Sequence, residues 1–217
     1  MPRNKYGEEI RRLYNPSEDP RTSSIPLSEL LFYDRDRRRV SHLRMNVMSE
    51  PDPIVDETSV VVFIDGACRN NGQPTARASW AVSFGWESRY NTGGLLDKSL
   101  PQTSTRAEIE ALIQALDVIR YVTDIHFTRR SRVIIATDSS FLVKAMTQWM
   151  ERWIENDGVG TNGEPVAHFQ VLKKIHDLLN EMERSDEARS REIWLWHVPR
   201  EMNRDADGIA NRVLDEA

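Results

Sequence analysis

Apolar residues follow two kinds of spacing along the chain, and together they predict a mixed α/β fold. The continuous apolar runs at 59–65 and 132–137 are rich in β-branched residues, which is typical of strands covered on both faces. Three further strands are predicted at 77–86, 89–96 and 192–198. Helical spacing predicts helices at 104–122, at 139–156 with a bend or break, at 166–184 and at 204–216. This order of elements is typical of a layered α/β domain.

The first 57 residues lack this regular pattern and are rich in Arg, Ser, Pro and Asp. The segment 28–48 fits either a short helix or a pair of strands packed against the main body. The segment 49–57 contains two prolines and four acidic residues, which predicts a linker. We therefore predict an N-terminal extension and linker at 1–57, whose function the sequence leaves open, and one main domain at 58–217.

Composition limits the class of protein further. The chain has 217 residues, of which 39% are hydrophobic and 29% charged, and this balance is typical of folded globular proteins. No apolar run approaches the roughly 20 residues of a membrane helix, and residues 1–19 contain no apolar core of a secretion signal. The single cysteine, Cys68, excludes a disulfide framework and fits a reducing compartment. We expect a monomer inside the cell, in the nucleus or the cytoplasm.

The charge is unevenly distributed along the chain. Residues 1–50 hold ten Lys and Arg against eight Asp and Glu, whereas the whole chain has a net charge of −5. An acidic main domain is unlike the basic surface of a nonspecific nucleic-acid-binding protein. The run Arg37–Arg39 fits a basic patch for nucleic acid or nuclear import, but a solvated segment with acidic neighbours explains it more simply.

Four acidic residues are predicted to meet at one end of the sheet. Asp65 and Asp138 each end an apolar strand, and the carboxyl ends of strands are where open α/β sheets bind ligands. Glu108 and Asp207 each fall in the first turn of a predicted helix. Each acid alone is also explained by a turn, a helix cap or the helix dipole. Together, four carboxylates without His or Cys indicate a site for Mg²⁺ or Mn²⁺.

Four segments, in this order and spacing, resemble ribonuclease H of type 1. They are FIDGACRNNG, TRAEIEAL, ATDSSF and HVPREMNRDADGIA, and the resemblance covers about residues 59–217. It implies a ribonuclease H-like α/β fold with a five-stranded mixed sheet, in which a three-stranded antiparallel meander is joined by two parallel strands, with helices on both faces. It also implies an endoribonuclease that cleaves the RNA strand of RNA–DNA hybrids and leaves 5′-phosphate ends.

The resemblance assigns roles to particular residues of the chain. Asp65, Glu108, Asp138 and Asp207 match the family's catalytic residues, which hold two Mg²⁺ ions, with Mn²⁺ as an alternative. Asn71 matches a position that contacts a 2′-hydroxyl of the RNA. Further substrate contacts are implied for Thr103, Ser104, Thr105, Phe141, Trp149 and Trp153. Helix capping, with Ser104 or Thr105 as the N-cap, also explains the hydroxyl residues, and core packing is the better explanation for at least one of the two tryptophans.

The sequence departs from many family members in two places. No His lies between Val198 and Asp207, and in this the sequence resembles the subgroup that lacks the loop histidine. Slow turnover is therefore expected. His197 is expected to belong to the core. Acidic residues also occupy 149–160, where relatives are often rich in lysine. A noncatalytic nucleic-acid-binding module of the same fold is therefore the main alternative, and another nuclease or integrase of the superfamily is a third interpretation.

Overall fold

The computed structural model describes residues 12–127, 131–184 and 191–217. Eight strands form its sheet: β1 (Leu31–Tyr33), β2 (Ser41–Met45), β3 (Ile54–Val55), β4 (Ser59–Arg69), β5 (Arg77–Ser83), β6 (Thr92–Leu95), β7 (Ser131–Thr137) and β8 (Arg191–His197). The helices are α1 (Ser104–His126), α2 (Ser140–Lys144), α3 (Met150–Glu155), α4 (Phe169–Arg184) and α5 (Arg204–Asp215). A π-helical turn, Ala145–Trp149, joins α2 to α3 and accounts for the break predicted within 139–156.

The predicted arrangement of five strands is confirmed. Strands β4, β5 and β6 form an antiparallel meander, and β7 and β8 continue the sheet from β4 as parallel strands. The sheet is larger than predicted, because β1, β2 and β3 pair with one another and β2 pairs with β4. The segment 28–48 therefore contains a pair of strands rather than a helix.

Strand β4 is longer than its apolar run. The run ends at Asp65, but the strand continues to Arg69 because residues 63–69 pair with β5. The parallel pairing with β7 stops earlier, at Phe63. Asp65 therefore lies within a strand, just beyond the point where one of its two neighbours ends.

Side chains of the central strands alternate between two hydrophobic clusters, one on each face of the sheet. On the first face, Val60, Val62 and Ile64 pack with buried residues of α1 and α4. On the opposite face, Val61 and Phe63 pack with Ala206 of α5 and with the N-terminal extension. The predicted placement of helices on both faces is confirmed.

The extension covers the part of the second face that α5 leaves free. Its side chains Tyr14, Ile25, Leu30 and Leu43 are buried in the same cluster as Val61 and Phe63. Its backbone joins β8 where Tyr14 N–H donates to the carbonyl of Leu195, at 2.8 Å. The described residues 12–57 thus share a core with the main domain, while the functional division at residue 57 stays a prediction.

Buried ion pairs also attach the extension to a strand and to a helix of the main domain. Arg132 at the start of β7 pairs with Asp19, and its guanidinium lies over the ring of Tyr14. Arg12 pairs with Glu183 of α4 at 2.6 Å. Residues 1–11, which begin the stretch 1–19 in which we predict no secretion signal, lie outside the described residues. Within the described residues, no helix combines the length and the hydropathy needed to cross a membrane.

Candidate active site

The register of the parallel strands brings Asp65 and Asp138 side by side. Phe63 of β4 is opposite Ala136 of β7, and an aspartate follows two residues after each of them along the chain. Asp65 is only 7% exposed, whereas Asp138, one residue past the end of β7, is half-buried. One edge of the sheet therefore carries two adjacent carboxylates.

Glu108 reaches this edge from α1. The helix is capped by Thr103, whose hydroxyl accepts a hydrogen bond from Arg106 N–H at 3.2 Å, so the predicted caps Ser104 and Thr105 are wrong by one or two positions. Glu108 consequently lies in the second turn rather than the first. The Ser139 side chain favours the charged form of the Glu108 carboxylate and lowers its pKa, so the glutamate interacts with the residue that follows Asp138.

Asp207 completes the group from the first turn of α5, as predicted. Its carboxylate accepts a hydrogen bond from the exposed guanidinium of Arg200 at 3.2 Å. Its backbone N–H donates to the carbonyl of Asn203 at 3.0 Å, which is the first hydrogen bond of the helix. Asp207 is half-buried and is held next to the two strand aspartates by this start of α5.

Asn203 connects α5 to the strand aspartates, and the sequence interpretation did not include it. Its side-chain amide lies 3.0 Å from the carbonyl of Ile64, 3.2 Å from Asp138 Oδ1 and 3.5 Å from Asp65 Oδ1. The signal available in the sequence was an asparagine directly before a predicted helix, which is a common capping residue. Its contact with Ile64, 139 positions away, has no local signature.

Two of the four carboxylates, Asp65 and Glu108, have raised pKa values. Burial raises the pKa of Asp65 to about 7, and the negative charges of Asp138, Glu108 and Asp207 add to this effect. Burial also raises the pKa of Glu108 to about 7, against the lowering effect of the Ser139 side chain. Crowded carboxylates with raised pKa values are typical of sites that bind protons or cations. The predicted acidic residues are thus electrostatically coupled.

Two of the predicted substrate residues lie together beside α1. The amide of Asn71, in the turn after β4, donates to the Ser104 hydroxyl at 3.2 Å. Thr103 uses its hydroxyl as the helix cap, and Thr105 is exposed. Asn71 is also exposed, so its polar atoms remain accessible to a ligand. Their roles in substrate binding stay predictions.

The three aromatic residues form a row on the helical segment that follows Asp138. The ring centroids of Phe141 and Trp149 are 6.2 Å apart, and those of Trp149 and Trp153 are 5.5 Å apart. All three are half-buried and pack against the main hydrophobic cluster. Core packing and partial exposure to solvent are therefore both present at these positions.

His197 differs from its predicted place in the core. It is exposed at the end of β8, and its Nε2 lies 3.2 Å from the backbone carbonyl of Asp138. The alternation of the strand explains this, because the neighbouring Trp196 and Val198 are the buried residues. His197 therefore contacts the backbone of the site but none of its carboxylates in the hydrogen bonds described.

Known proteins of one family are similar to the part of the chain that contains all four acidic residues. The RNase H family model matches residues 57–214. A ribonuclease H of Methylococcus capsulatus is 31% identical over 175 residues, which cover 78% of this chain and 94% of that protein. A ribonuclease H of Schizosaccharomyces pombe is 30% identical over 156 residues, which cover 72% of this chain and 53% of that protein, so the match spans about half of the yeast sequence.

Solved structures give the same fold. LC11-RNase H1, isolated from compost by a metagenomic approach, is 25% identical with a TM-score of 0.51, covering 73% of this chain and 97% of that one. The same enzyme in complex with an RNA/DNA hybrid is 24% identical with a TM-score of 0.50, covering 72% and 96% of the two chains. The second likeness supports the fold alone.

Proposed function

The chain belongs to the RNase H family, and we propose that it is a metal-dependent endoribonuclease that hydrolyses the RNA strand of RNA–DNA hybrids. The observation that carries the proposal is the meeting of Asp65, Glu108, Asp138 and Asp207 at one edge of the sheet. Burial and mutual repulsion raise the pKa of the two most buried acids to about 7. Such crowding is unfavourable for folding unless a bound cation compensates it.

The donor set fits a hard divalent cation. All four side chains offer oxygen, which Mg²⁺ and Mn²⁺ prefer. Glu108 Oε2 is buried and has no hydrogen-bond partner among residues 12–127, 131–184 and 191–217, so it is available as a ligand. Among the described residues, no three His, Cys, Asp or Glu side chains are arranged to hold an ion without movement. Cation binding would have to draw the carboxylates together and compete with Arg200 for Asp207.

The four acids would act together in the proposed reaction. Asp65, the most buried aspartate of the four acids, would hold the cations together with Asp138, Asp207 and Glu108. Two Mg²⁺ ions bound there would activate water and stabilise the leaving 3′-oxygen of the scissile phosphate. The protein itself would fix the orientation of these ligands and of the phosphate.

Recognition of RNA would rest on polar groups next to Glu108. Asn71 and Ser104 are hydrogen-bonded to each other at the start of α1, where they would meet the 2′-hydroxyls that distinguish RNA from DNA. The aromatic row from Phe141 to Trp153 would stack against bases or sugars of the DNA strand. Both assignments follow the family resemblance and are proposals for this chain.

A side-by-side cleavage assay tests this function. Labelled RNA–DNA hybrid, RNA duplex and DNA duplex of one sequence are each incubated with the full chain in Mg²⁺, in Mn²⁺ and in EDTA. We expect cleavage of the RNA strand of the hybrid only, and only with metal. Hybrid binding without cleavage in either metal would instead support a noncatalytic module, and cleavage of the DNA duplex would support another nuclease of the superfamily.

A further inference from the structure

Asn203 makes contact with three of the four acidic residues. Its side-chain amide lies next to Asp138 and Asp65, and its backbone carbonyl accepts the N–H of Asp207. The residue is 1% exposed. It therefore occupies the interior of the site, between the middle of β4, the end of β7 and the start of α5, without being an acid itself.

The orientation of the Asn203 amide follows from its partners. All three atoms near Nδ2 are acceptors, namely the carbonyl of Ile64 and one carboxylate oxygen each of Asp138 and Asp65. An amide oxygen in this position would face three other acceptors, so the nitrogen must point this way. The two N–H groups thus hold the β4 backbone and the Asp138 carboxylate at once, with Asp65 at the limit of hydrogen-bond distance.

The same orientation leaves the other end of the side chain unsatisfied. Asn203 Oδ1 is buried and has no hydrogen-bond partner among the described residues. A buried polar atom without a partner destabilises the folded state. This cost is offset by the hydrogen bonds that Nδ2 donates to Ile64 and Asp138, so an asparagine here is explained by the groups that its amide nitrogen contacts. Its benefit lies in the acids that it contacts.

We propose that Asn203 is a positioning residue that holds Asp138, the β4 backbone beside Asp65 and the start of α5 in the arrangement needed for cation binding. The proposal rests on the proposed function in taking the four acids as the cation ligands. A neutral donor suits this role, because it orients carboxylates without the charge of a Lys or Arg, which would oppose a divalent cation. Outer residues that orient metal ligands typically change metal affinity by about 10–100-fold when replaced.

Calorimetric titration of the full chain with Mg²⁺, without nucleic acid, tests the proposal independently of cleavage. For Asn203→Ala we expect the Kd for Mg²⁺ to rise by about tenfold or more. In cleavage assays the loss should be large at low Mg²⁺ and smaller at saturating Mg²⁺. Asn211→Ala is the matched control, because Asn211 bonds the backbone carbonyl of Asp207 from the same helix but touches no carboxylate. Its Mg²⁺ affinity should equal that of the wild type.

A second variant separates positioning from folding. In Asn203→Ser the new residue is also one that is favoured before a helix, but the serine side chain is shorter than that of asparagine and its hydroxyl does not reach Asp138. It should fold as the wild type does, as judged by its melting temperature in EDTA, and still bind Mg²⁺ as weakly as Asn203→Ala. Wild-type affinity in the folded serine variant would overturn the proposal. A wild type that binds Mg²⁺ normally but cleaves no hybrid would contradict the proposed function alone, and a wild type without Mg²⁺ affinity would overturn both.

Discussion

Gly66 lies directly against the backbone of Glu108. A Cβ atom at Gly66 would be 2.3 Å from Glu108 N and 2.5 Å from the carbonyl carbon of Ala107, distances that no side chain tolerates. The start of α1 can approach β4 this closely only because residue 66 has no side chain. The glycine next to Asp65 therefore determines how near Glu108 comes to the other acids.

We predict that Gly66→Ala pushes α1 away from the sheet. The overlap should cost about 1–3 kcal/mol in the free energy of unfolding, and a displacement of about 1 Å at a catalytic group should lower the cleavage rate roughly 10²-fold. Chemical denaturation and a single-turnover assay measure the two effects. Gly208→Ala is the control, since a Cβ there meets nothing within 4 Å. Because alanine favours a helix more than glycine does, Gly208→Ala should raise the free energy of unfolding by up to about 1 kcal/mol. An active Gly66→Ala protein would refute the role of this contact.

Asp65→Asn should stabilise the metal-free protein while removing activity. The pKa of Asp65 is about 7 in the fold and lower in the unfolded chain, so the folded state binds more protons between about pH 4 and pH 7. In the metal-free protein, the contribution of Asp65 to the free energy of unfolding therefore falls as the pH rises through that window and is constant above it. Asparagine carries no charge, so the variant does not lose this free energy.

The size of this gain follows from the pKa. One pKa unit corresponds to about 1.4 kcal/mol, so above pH 7 the free energy of unfolding of Asp65→Asn should exceed that of the wild type by something on the order of 2–4 kcal/mol. Melting curves in EDTA at pH 4, 6 and 8 should show the difference between variant and wild type growing with pH. Asp36→Asn, at an exposed carboxylate, serves as the control and should change little. A pH-independent difference would mean that the crowding of the acids does not control stability.

The sequence predicted the acids and the main strands because their signals are local. An apolar run that ends in Asp65 or Asp138 is visible in a few residues, and so is the helical spacing that follows Glu108. The cap at Thr103 was missed by one or two positions because several neighbouring hydroxyl residues are equally good caps. The extension of β4 past Asp65 depends on pairing with β5, which adjacent residues do not encode.

The unpredicted parts of the site depend on contacts between distant segments. Asn203 meets Ile64, and Gly66 meets Glu108, through the packing of helices on strands. The N-terminal strands were only one of two alternatives, because buried polar residues such as Ser41 and His42 obscure the alternation of β2. Ser41 bonds the carbonyl of Phe84 and His42 that of Ser59, so their burial is explained only by the folded chain.

We predict that the N-terminal extension unfolds together with the main domain. Leu43 of β2 is 0% exposed in the cluster on the second face of the sheet, so Leu43→Ala should cost about 2–5 kcal/mol. Leu27, in the same extension but 46% exposed, should change stability by less than about 0.5 kcal/mol when replaced by Ala. Denaturation followed by both fluorescence and circular dichroism should give one coincident transition. Two transitions, with only the first affected by Leu43→Ala, would show an independent extension.

The basic run of the extension should contribute little to substrate binding. Arg37 and Arg38 both pair with Glu57, at 3.6 and 3.4 Å, which favours a solvated, ion-paired segment over a nucleic-acid contact. For the double variant Arg37→Gln/Arg38→Gln, the slope of log affinity for hybrid against log salt concentration should remain that of the wild type. Each lost phosphate contact would reduce the slope by roughly 0.7–0.9. A reduction of that size would assign the run to the substrate interface.

The measurement that tests the central claim most directly is single-turnover cleavage of an RNA–DNA hybrid by wild type and Asp138→Asn as Mg²⁺ is titrated. The asparagine keeps the shape of the side chain and an oxygen that can accept from Asn203, but it removes one negative charge from the site. We predict hybrid cleavage by the wild type that depends on Mg²⁺, and a loss of at least about 10³-fold in the variant, with hybrid binding retained. Cleavage by Asp138→Asn at the wild-type rate, or wild-type cleavage that persists in EDTA, would contradict the account.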